Sequence, residues 1–283
     1  MKTLNKLTQT LRKIIVEKQL LIPHYRLLEK LNPVMFKFPK DKKKALILTY
    51  DVETFSSINK NKSEIEEEYE GFMPRVLDVL DSYHINVQFF ICGRSIELYS
   101  GLISSIIQKG HNIGGHGYMH EKMYTLSYKS QRELIRKVQE ISKDYLKTEM
   151  ISWRFPFLTS NFGGYKALGE SGFKLSSSTM EVNRPVRIRG IVEVPLIAMD
   201  GDIIGYSLPR SKVGVWVDFM KNSLAKLDKG ILIFGMHTWL QMKADPELEG
   251  LQEFLLGIEP FREEIWVGTL DEYYNHYISN LKC

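Results

Sequence analysis

The sequence has few cysteines and no long apolar run, and both absences exclude classes of protein. Among 283 residues there are only two cysteines, Cys92 within an apolar segment and Cys283 at the last position. Two such residues cannot form the disulfide framework of a small secreted domain, which favours a reducing compartment. No apolar run approaches the roughly 20 residues of a membrane-spanning helix, and the N-terminus lacks a signal-type apolar core. We therefore expect a cytoplasmic protein that is not exported.

Basic charge, in contrast, is concentrated at the N-terminus. Residues 1–44 contain twelve Lys or Arg and three acidic residues, a net charge of +9 in a chain whose total is +4. Leu4, Leu7 and Leu11 recur at helical spacing among these cations, which indicates an amphipathic helical arm. Such an arm either packs against the outside of the main domain or lies on an anionic membrane surface, at its inner face. We expect no nucleic-acid partner.

After the arm, strand-like and helix-like patterns alternate. Short apolar runs such as Ala45–Asp51 and Gly230–Met236 lack a helical period and predict buried parallel strands. Ile191–Ala198 is expected to continue as one strand through its proline. The alternation repeats about seven times without a linker, which is typical of a single parallel-stranded α/β barrel. We assign residues 45–283 to this barrel domain and residues 1–44 to the arm.

Polar side chains stand near the ends of these elements. Asp51 and Glu53 lie at the carboxyl end of the first strand, where α/β folds build their sites. His116 and His120 are four residues apart, so a helical turn would place both imidazoles on one face, within reach of one ion. The sequence therefore predicts a metal site that combines the two histidines with a carboxylate. The polar stretch Thr54–Glu70 directly after the carboxylates predicts a lid or substrate-contacting loop.

Two further polar residues complete the pattern. Arg154 follows the apolar Met150–Trp153, and His237 ends the strand Gly230–Met236. In this order, two carboxylates, two histidines, an arginine and a histidine resemble the polysaccharide deacetylase family, the NodB-homology or carbohydrate-esterase-4 group. The resemblance covers roughly Ala45–Trp239. It implies an irregular (β/α)7 barrel that hydrolyses amides.

The resemblance also implies a role for each carboxylate. In the usual family pattern two adjacent aspartates act as the base and as the metal ligand, whereas Val52 stands in the second place here. Branches with an acid-x-acid arrangement use the outer pair, which makes Asp51 the base and Glu53 the ligand beside both histidines. If the longer Glu53 does not reach the ion, Asp51 would ligate it, or the metal would be absent.

The remaining roles follow from the same resemblance. Arg154 would bind and orient the Asp51 carboxylate, and His237 would protonate the leaving nitrogen. Asp200 would raise the basicity of His237, with Asp202 as its competitor. Substrate contacts are expected from Tyr50, Phe157, Met236 and Trp239, of which Met236 would line the pocket for the acyl methyl group. The cofactor would be a divalent metal; zinc is our expectation, although cobalt, nickel and manganese accept the same ligands.

We therefore expect a metal-dependent hydrolase that removes an acetyl or formyl group from an amino sugar in a polysaccharide, glycolipid or sugar-carrier intermediate. Asp51-Val52-Glu53 and the segment from Val194 to Asp200 resemble most closely the intracellular branch of the family that deformylates a lipid-linked amino sugar. Two alternatives remain open. One is a metal-independent cyclic-amide hydrolase of the allantoinase type, and the other is an inactive barrel that only binds carbohydrate.

Overall fold

The computed structural model describes residues 21–34, 37–39, 41–53, 62–205 and 212–278 of the chain. Ten strands in this part form one sheet. In chain order they are β1 (Lys44–Val52), β2 (Gln88–Ile91), β3 (Asn112–Gly115), β4 (Ser152–Trp153), β5 (Leu175–Ser176), β6 (Val186–Ile188), β7 (Ile191–Glu193), β8 (Ala198–Met199), β9 (Gly230–His237) and β10 (Ile265–Val267).

The sheet is curled and almost entirely parallel. Its strand order is β6-β7-β5-β4-β3-β2-β1-β9-β8, and β10 pairs with β1 beside this path. Among these ten strands, only β6 and β7 pair in the antiparallel direction. Because β6 and β8 stand at the two ends of the order, the sheet does not close within the described residues. The predicted α/β barrel is thus confirmed as an irregular, incomplete barrel surrounded by helices.

The helices lie mainly between consecutive strands. They are α1 (Leu21–Leu31), α2 (Lys62–Glu66), α3 (Met73–Ser82), α4 (Gly93–Leu98), α5 (Ser100–Gln108), α6 (Tyr128–Ile141), α7 (Phe162–Glu170), α8 (Asp200–Ile204), α9 (Val213–Lys226), α10 (Thr238–Ala244), α11 (Glu249–Leu256) and α12 (Leu270–Tyr273). A π-helical turn, Glu67–Phe72, joins α2 to α3. The second half of the expected lid loop is therefore helical, and residues 54–61 lie outside the described part.

Strand β1 shows how the fold separates two apolar layers. All nine of its residues are buried. Leu46, Leu48 and Tyr50 belong to a large cluster completed by the surrounding helices, whereas Ala45 and Ile47 belong to a smaller cluster inside the curl of the sheet. Successive side chains of a strand point to opposite faces, so Asp51 shares the inner face with these two residues.

The far side of the sheet differs from the sequence prediction. The stretch expected as one strand is divided into β7 and β8, which lie at different positions of the sheet. Pro195 stands between them, and a proline has no N–H to donate to a neighbouring strand. The short β6, which pairs with β7 around Arg189 and Gly190, both at positive φ, was not predicted.

The described part of the arm packs against the barrel. Helix α1 contains Pro23 in its first turn. The N–H groups of a first turn have no acceptor within the helix, so a proline there removes no helical hydrogen bond. The side chain of Tyr25 is 7% exposed. Its hydroxyl forms hydrogen bonds of 2.7 Å with Ser160 Oγ and 2.8 Å with Tyr165 Oη. Packing on the domain is thus the observed arrangement for α1.

The chain after α1 is joined to the sheet as well. Pro33 forms a β-bridge with Val186, and the backbone N–H of Arg187 donates to the carbonyl oxygen of Asn32 at 3.1 Å. The boundary predicted at residue 44 stays a prediction, and residues 1–20, with most of the leucine stripe, lie outside the described part. No helix within the described ranges is long and apolar enough to cross a membrane.

Candidate active site

The parallel register of the sheet brings the predicted site residues to one edge. In the pairing of β1 with β9, Asp51 stands opposite His237. Strands β3 and β4 end one residue before His116 and Arg154. His116 Nδ1 lies 2.9 Å from the carbonyl oxygen of Arg154, so these two chain segments are also in contact. Four residues that are far apart in sequence therefore meet at the carboxyl ends of neighbouring strands.

Glu53 and the two histidines form a group that could hold a metal ion. Glu53 Oε1 lies 3.4 Å from His116 Nε2 and 2.9 Å from His120 Nε2. One ligand atom from each of the three lies within 4.8 Å of the others. Because the Arg154 carbonyl can only accept, the proton of a neutral His116 belongs on Nδ1, which leaves the Nε2 lone pair for an ion. The donor set thus fits a divalent cation.

The surroundings of Glu53 favour its negatively charged form. Burial favours its protonated form, but the neighbouring imidazoles of His116 and His120 and the charge of His237 outweigh that effect and hold the pKa of Glu53 well below its usual value. A carboxylate that stays ionised while it is buried is the oxygen donor that a divalent ion requires.

The two histidines approach each other through a tight loop and not through the helical turn that their spacing allows. Strand β3 ends at Gly115, and both Gly117 and His120 have positive φ angles, 75° and 60°. The Glu121 carboxylate closes the loop by accepting two backbone N–H groups, those of Tyr118 and Met119, at 2.9 Å each. The ring centroids of His116 and His120 are 4.9 Å apart, so the loop achieves the proximity that a helical turn would have given.

Asp51 is held by a buried arginine. Arg154 Nη1 donates to Asp51 Oδ1 at 2.6 Å, and the two side chains are 0% and 3% exposed. The guanidinium also donates to Thr49 Oγ1 at 2.9 Å and to the carbonyl oxygen of Ser177 at 2.8 Å. These contacts fix its orientation, and Asp51 Oδ2 is left facing His116 Nε2 at 3.7 Å.

His237 is paired with Asp200, while Asp202 is used elsewhere. Asp200 Oδ1 lies 2.6 Å from His237 Nδ1, and Oδ2 accepts the His237 backbone N–H at 2.7 Å. Asp202 instead accepts the backbone N–H of Met199 at 3.3 Å. Burial tends to lower the pKa of His237, but the charge and hydrogen bond of Asp200 raise it to about 10. Nε2 of His237 faces the site, 3.9 Å from Glu53 Oε1.

Two of the four expected substrate contacts lie beside the site. The Phe157 ring is 40% exposed, and its centroid is 4.4 Å from that of His120. The Trp239 ring centroid is 5.7 Å from that of His237, although Trp239 is only 3% exposed. Phe157 is therefore the accessible aromatic surface next to the two histidines.

Tyr50 and Met236 lie in the layer between sheet and helices, and their role as substrate contacts stays a prediction. Tyr50 is fully buried, and its hydroxyl donates to Gln241 Oε1 at 2.8 Å in the layer between sheet and helices. Met236 belongs to the same outer layer and lines a cavity there with Trp216. The cause is the alternation of side chains along a strand, which turns each of them away from the neighbouring site residue.

The sequence did not indicate the residues that fill the inner face beside His237. A Cβ atom added to Gly235 would lie 2.0 Å from Met199 Sδ and 3.1 Å from Leu196 Cδ2. Met199 and Leu196 thus occupy the space that a side chain at position 235 would take. The sequence did contain one signal: side chains alternate along a strand, so position 235 lies on the same face as His237.

Comparison with known proteins supports the same family. Residues 39–175 match the family model of polysaccharide deacetylases. A peptidoglycan deacetylase of Helicobacter pylori is 31% identical over 113 residues, which are 38% of this chain. The matched stretch spans only 37% of that relative's own length.

Solved structures share the fold along most of the chain. A Mycobacterium smegmatis protein assigned to the polysaccharide deacetylases has a TM-score of 0.77 at 21% identity, covering 88% of this chain and 94% of its own. PuuE allantoinase has a TM-score of 0.72 at 16% identity, covering 86% of this chain and 93% of its own. The family-model match thus assigns residues 39–175 to the polysaccharide deacetylase family, and the solved structures extend the shared fold to most of the chain.

Proposed function

We propose that the protein is a metal-dependent hydrolase that removes an N-acyl group, acetyl or formyl, from an amino sugar. The observation that carries this proposal is the convergence of a buried Asp51–Arg154 pair, the Glu53–His116–His120 group and the His237–Asp200 pair on one edge of the sheet. Amide hydrolysis needs a base, a stabiliser for the developing oxyanion and an acid, and each of these groups offers one of them.

Asp51 is the base in this proposal. Its Oδ1 is fixed by Arg154, and its Oδ2 is directed at the space beside His116. A water in that space would lose its proton to Oδ2 as it attacks the carbonyl carbon of the N-acyl group. The guanidinium keeps the carboxylate in one orientation, so the proton is taken at a defined position.

His237 is the acid. The Asp200 carboxylate occupies Nδ1, so Nε2 is the nitrogen that faces the site and carries the transferable proton. A pKa raised to about 10 keeps His237 protonated at neutral pH. It can then protonate the leaving sugar nitrogen when the C–N bond breaks, since an amide nitrogen is a poor leaving group until it accepts a proton.

Glu53, His116 and His120 are the residues that would hold the ion. A bound divalent cation would supply Lewis-acid polarisation of the carbonyl oxygen and would lower the pKa of water toward neutrality. Two imidazoles and one carboxylate leave coordination positions open for substrate, which is the arrangement of catalytic rather than structural zinc sites. We propose zinc, with cobalt, nickel and manganese as the ions that the same ligands accept.

The acyl group and the sugar would contact different surfaces. Met199 and Leu196 line the inner face beside His237, so we assign the small apolar pocket for the acyl methyl to them and not to Met236. The exposed Phe157 ring next to His120 offers a flat face on which a sugar ring can stack. The Helicobacter pylori relative is a peptidoglycan deacetylase, which supports an N-acetylated amino sugar as the substrate class.

The direct test combines a metal assay with a product assay. Purified protein is analysed for bound divalent metal and incubated with N-acetylated and N-formylated amino-sugar oligomers, and released acetate or formate is measured. We expect about one ion per chain and acyl release that a chelator abolishes and added zinc restores. Asp51→Asn is the matched control, because it should bind the ion and release no acid. Metal-free protein that releases acyl groups at the same rate would refute metal dependence.

The fold shared with PuuE allantoinase supports a second candidate, a metal-independent cyclic-amide hydrolase. The two candidates differ in their need for Glu53 and the histidines. An allantoinase-type enzyme would open a cyclic amide in the presence of a chelator, whereas the proposed deacylase would not act under those conditions. An inactive carbohydrate-binding barrel would bind sugar oligomers and would release no acid from any of these compounds.

A further inference from the structure

We propose that the protein docks on an anionic phospholipid bilayer through a surface beside the catalytic edge of the barrel. The docking face consists of exposed side chains on α1 and on the loop after β5: Arg26, Leu27, Lys30, Leu31, Met180 and Arg184. This proposal goes beyond the hydrolysis of an amino sugar and does not depend on it.

Helix α1 lies at the level of the catalytic edge. Tyr25 bonds to Tyr165, and the Tyr165 hydroxyl donates to Glu193 Oε2 at 2.9 Å. Glu193 is the last residue of β7 and stands at the carboxyl edge of the parallel strands. After α1, Pro33 pairs with Val186, which itself stands opposite Glu193. Both ends of α1 are therefore anchored in the row of the sheet from which the site residues project.

The outward face of α1 is apolar where a helix of a globular domain is normally polar. Leu27 is 52% exposed and Leu31 is 65% exposed, and the two are one helical turn apart. Tyr25 and Leu28 already provide the inward packing of this helix. Met180, 42% exposed, lies on the loop that Glu29 holds against α1 by accepting the Asn183 N–H at 2.9 Å. Leu27 and Leu31 thus share one exposed face of α1, and exposed apolar side chains that lie together are typical of an interaction surface.

Cations accompany these apolar side chains. Arg26 and Lys30 precede the two leucines and form a parallel row on the helix, and Arg184 follows Asn183 on the adjacent loop. Within the described part of the chain, no carboxylate forms an ion pair with any of the three. Glu29 is engaged with the Asn183 N–H, and Glu181 on the same loop is half-buried. The docking face therefore carries net positive charge beside its leucines.

This combination fits a bilayer better than a second copy of the chain. Anionic headgroups neutralise the cations while leucine and methionine side chains enter the boundary of the acyl layer. A symmetric contact between two copies would bring like charges together. The opening of the active site would face the bilayer together with the docking face, because Phe157 and Met119, 40% and 46% exposed, lie at the same edge of the barrel. The bound orientation would present the site to amino sugars at the lipid surface.

The test measures partition of the full chain onto vesicles. Full-length protein is sedimented with phosphatidylcholine vesicles and with mixed phosphatidylcholine–phosphatidylglycerol vesicles, at low and high salt. We expect binding only to the anionic vesicles, weakened by salt because the attraction is screened. Each cation near such a surface contributes about fivefold to partition, so Arg26→Gln/Lys30→Gln/Arg184→Gln should lower it on the order of a hundredfold at low salt. Leu27→Ser/Leu31→Ser should lower it roughly tenfold at either salt concentration.

Matched controls remove the same chemistry from the opposite end of the barrel. Lys226 ends α9 and Lys229 directly precedes β9, and both are exposed, so Lys226→Gln/Lys229→Gln lies at the amino edge of the sheet. Leu256→Ser removes a leucine that is 58% exposed on α11. Both should bind vesicles as the unmodified chain does, and thermal unfolding should show that every variant is folded. All variants retain residues 1–20, so a loss of binding would be caused by the substitutions on the docking face.

Three results would overturn the proposal. The first is full-length protein that ignores anionic vesicles at low salt. The second is docking-face variants that bind as well as the unmodified chain, or control variants that lose as much. The third is a leucine variant that alters self-association in sedimentation equilibrium while vesicle binding is unchanged, which would identify the face as a contact between copies. None of these results depends on whether acyl groups are released, so the two proposals fail independently.

Discussion

Buried charge occurs in two different arrangements at this site. Asp51 and Asp200 each face one nitrogen partner at 2.6 Å, Arg154 and His237, and both partners carry positive charge at neutral pH. Glu53, in contrast, faces two imidazoles that offer lone pairs when they are neutral. The first arrangement balances its charge within the chain, whereas the second becomes balanced when a cation binds. In the proposed mechanism, the comparison therefore separates an acid–base half, Asp51–Arg154 and His237–Asp200, from a metal-binding half, Glu53–His116–His120.

The largest effect is expected in the metal-binding half. His116→Ala and His120→Ala each remove one of only two nitrogen donors, so bound metal and acyl release should fall together below detection. Elemental analysis and the release assay, run on the same preparation, measure both quantities. His276→Ala changes an exposed histidine that is not one of the site residues. It is the control and should retain both the metal and the acyl release. Full metal content and turnover in either site variant would mean that the ion lies elsewhere.

The second prediction contrasts the two carboxylates of β1. Asp51→Asn should retain the metal and lose turnover by about 10²–10⁴-fold, the usual contribution of a general base. Glu53→Gln should lower metal occupancy, because the amide carries no charge to balance the ion. Metal titration followed by single-turnover kinetics distinguishes the two cases. The opposite pattern would show that Asp51 is the ligand and Glu53 the base.

These two halves were not equally predictable from sequence. The apolar runs that end on Asp51 and His237 are long and uniform, so both strands and their terminal residues could be located from the pattern. Asp51 and His237 stand opposite each other because the two strands pair in parallel. The alternation of strands and helices along the sequence predicts such parallel pairing, whereas composition alone does not. The pattern Thr-x-x-Glu at Thr269–Glu272 is that of a capping box, and the two side chains form one at the start of α12.

Other features depend on tertiary context that a single sequence does not contain. The loop that carries His120 is fixed by the Glu121 carboxylate. His116 and His120 are four residues apart, a spacing that is also typical of one face of a helix. The β6–β7 hairpin has only three residues in each strand, too few for a reliable pattern. The family resemblance suggested Met236 and Tyr50 as substrate contacts, but strand alternation, which could have been applied, places both in the outer layer.

The third prediction concerns the pH dependence of the acid–base half. His237 can donate a proton only below its pKa, which Asp200 raises to about 10, so the alkaline limb of turnover should lie well above neutral pH. Asp200→Asn removes the negative charge beside Nδ1 and should move that limb to lower pH. His237→Ala should lower turnover by about 10²–10⁴-fold and flatten the limb, while metal content is unchanged. A limb that stays in place in both variants would mean that another group protonates the leaving nitrogen.

The smallest effect is expected at the acyl pocket, which the family pattern assigns to Met236 and which we assign to Met199 and Leu196. Met236→Leu conserves volume in the outer layer and should change the free energy of unfolding by less than about 1.5 kcal/mol, with kcat and KM unchanged. Met199→Ala instead removes a side chain from the inner face beside His237 and Gly235, so the space for the acyl group should grow. We expect the ratio of N-propionyl to N-acetyl hydrolysis to rise in this variant and to stay constant in Met236→Leu. Kinetics with both substrates at a pH where His237 is protonated measure the ratio without interference from the acid. A change of ratio in Met236→Leu alone would show that the acyl group enters the layer between sheet and helices.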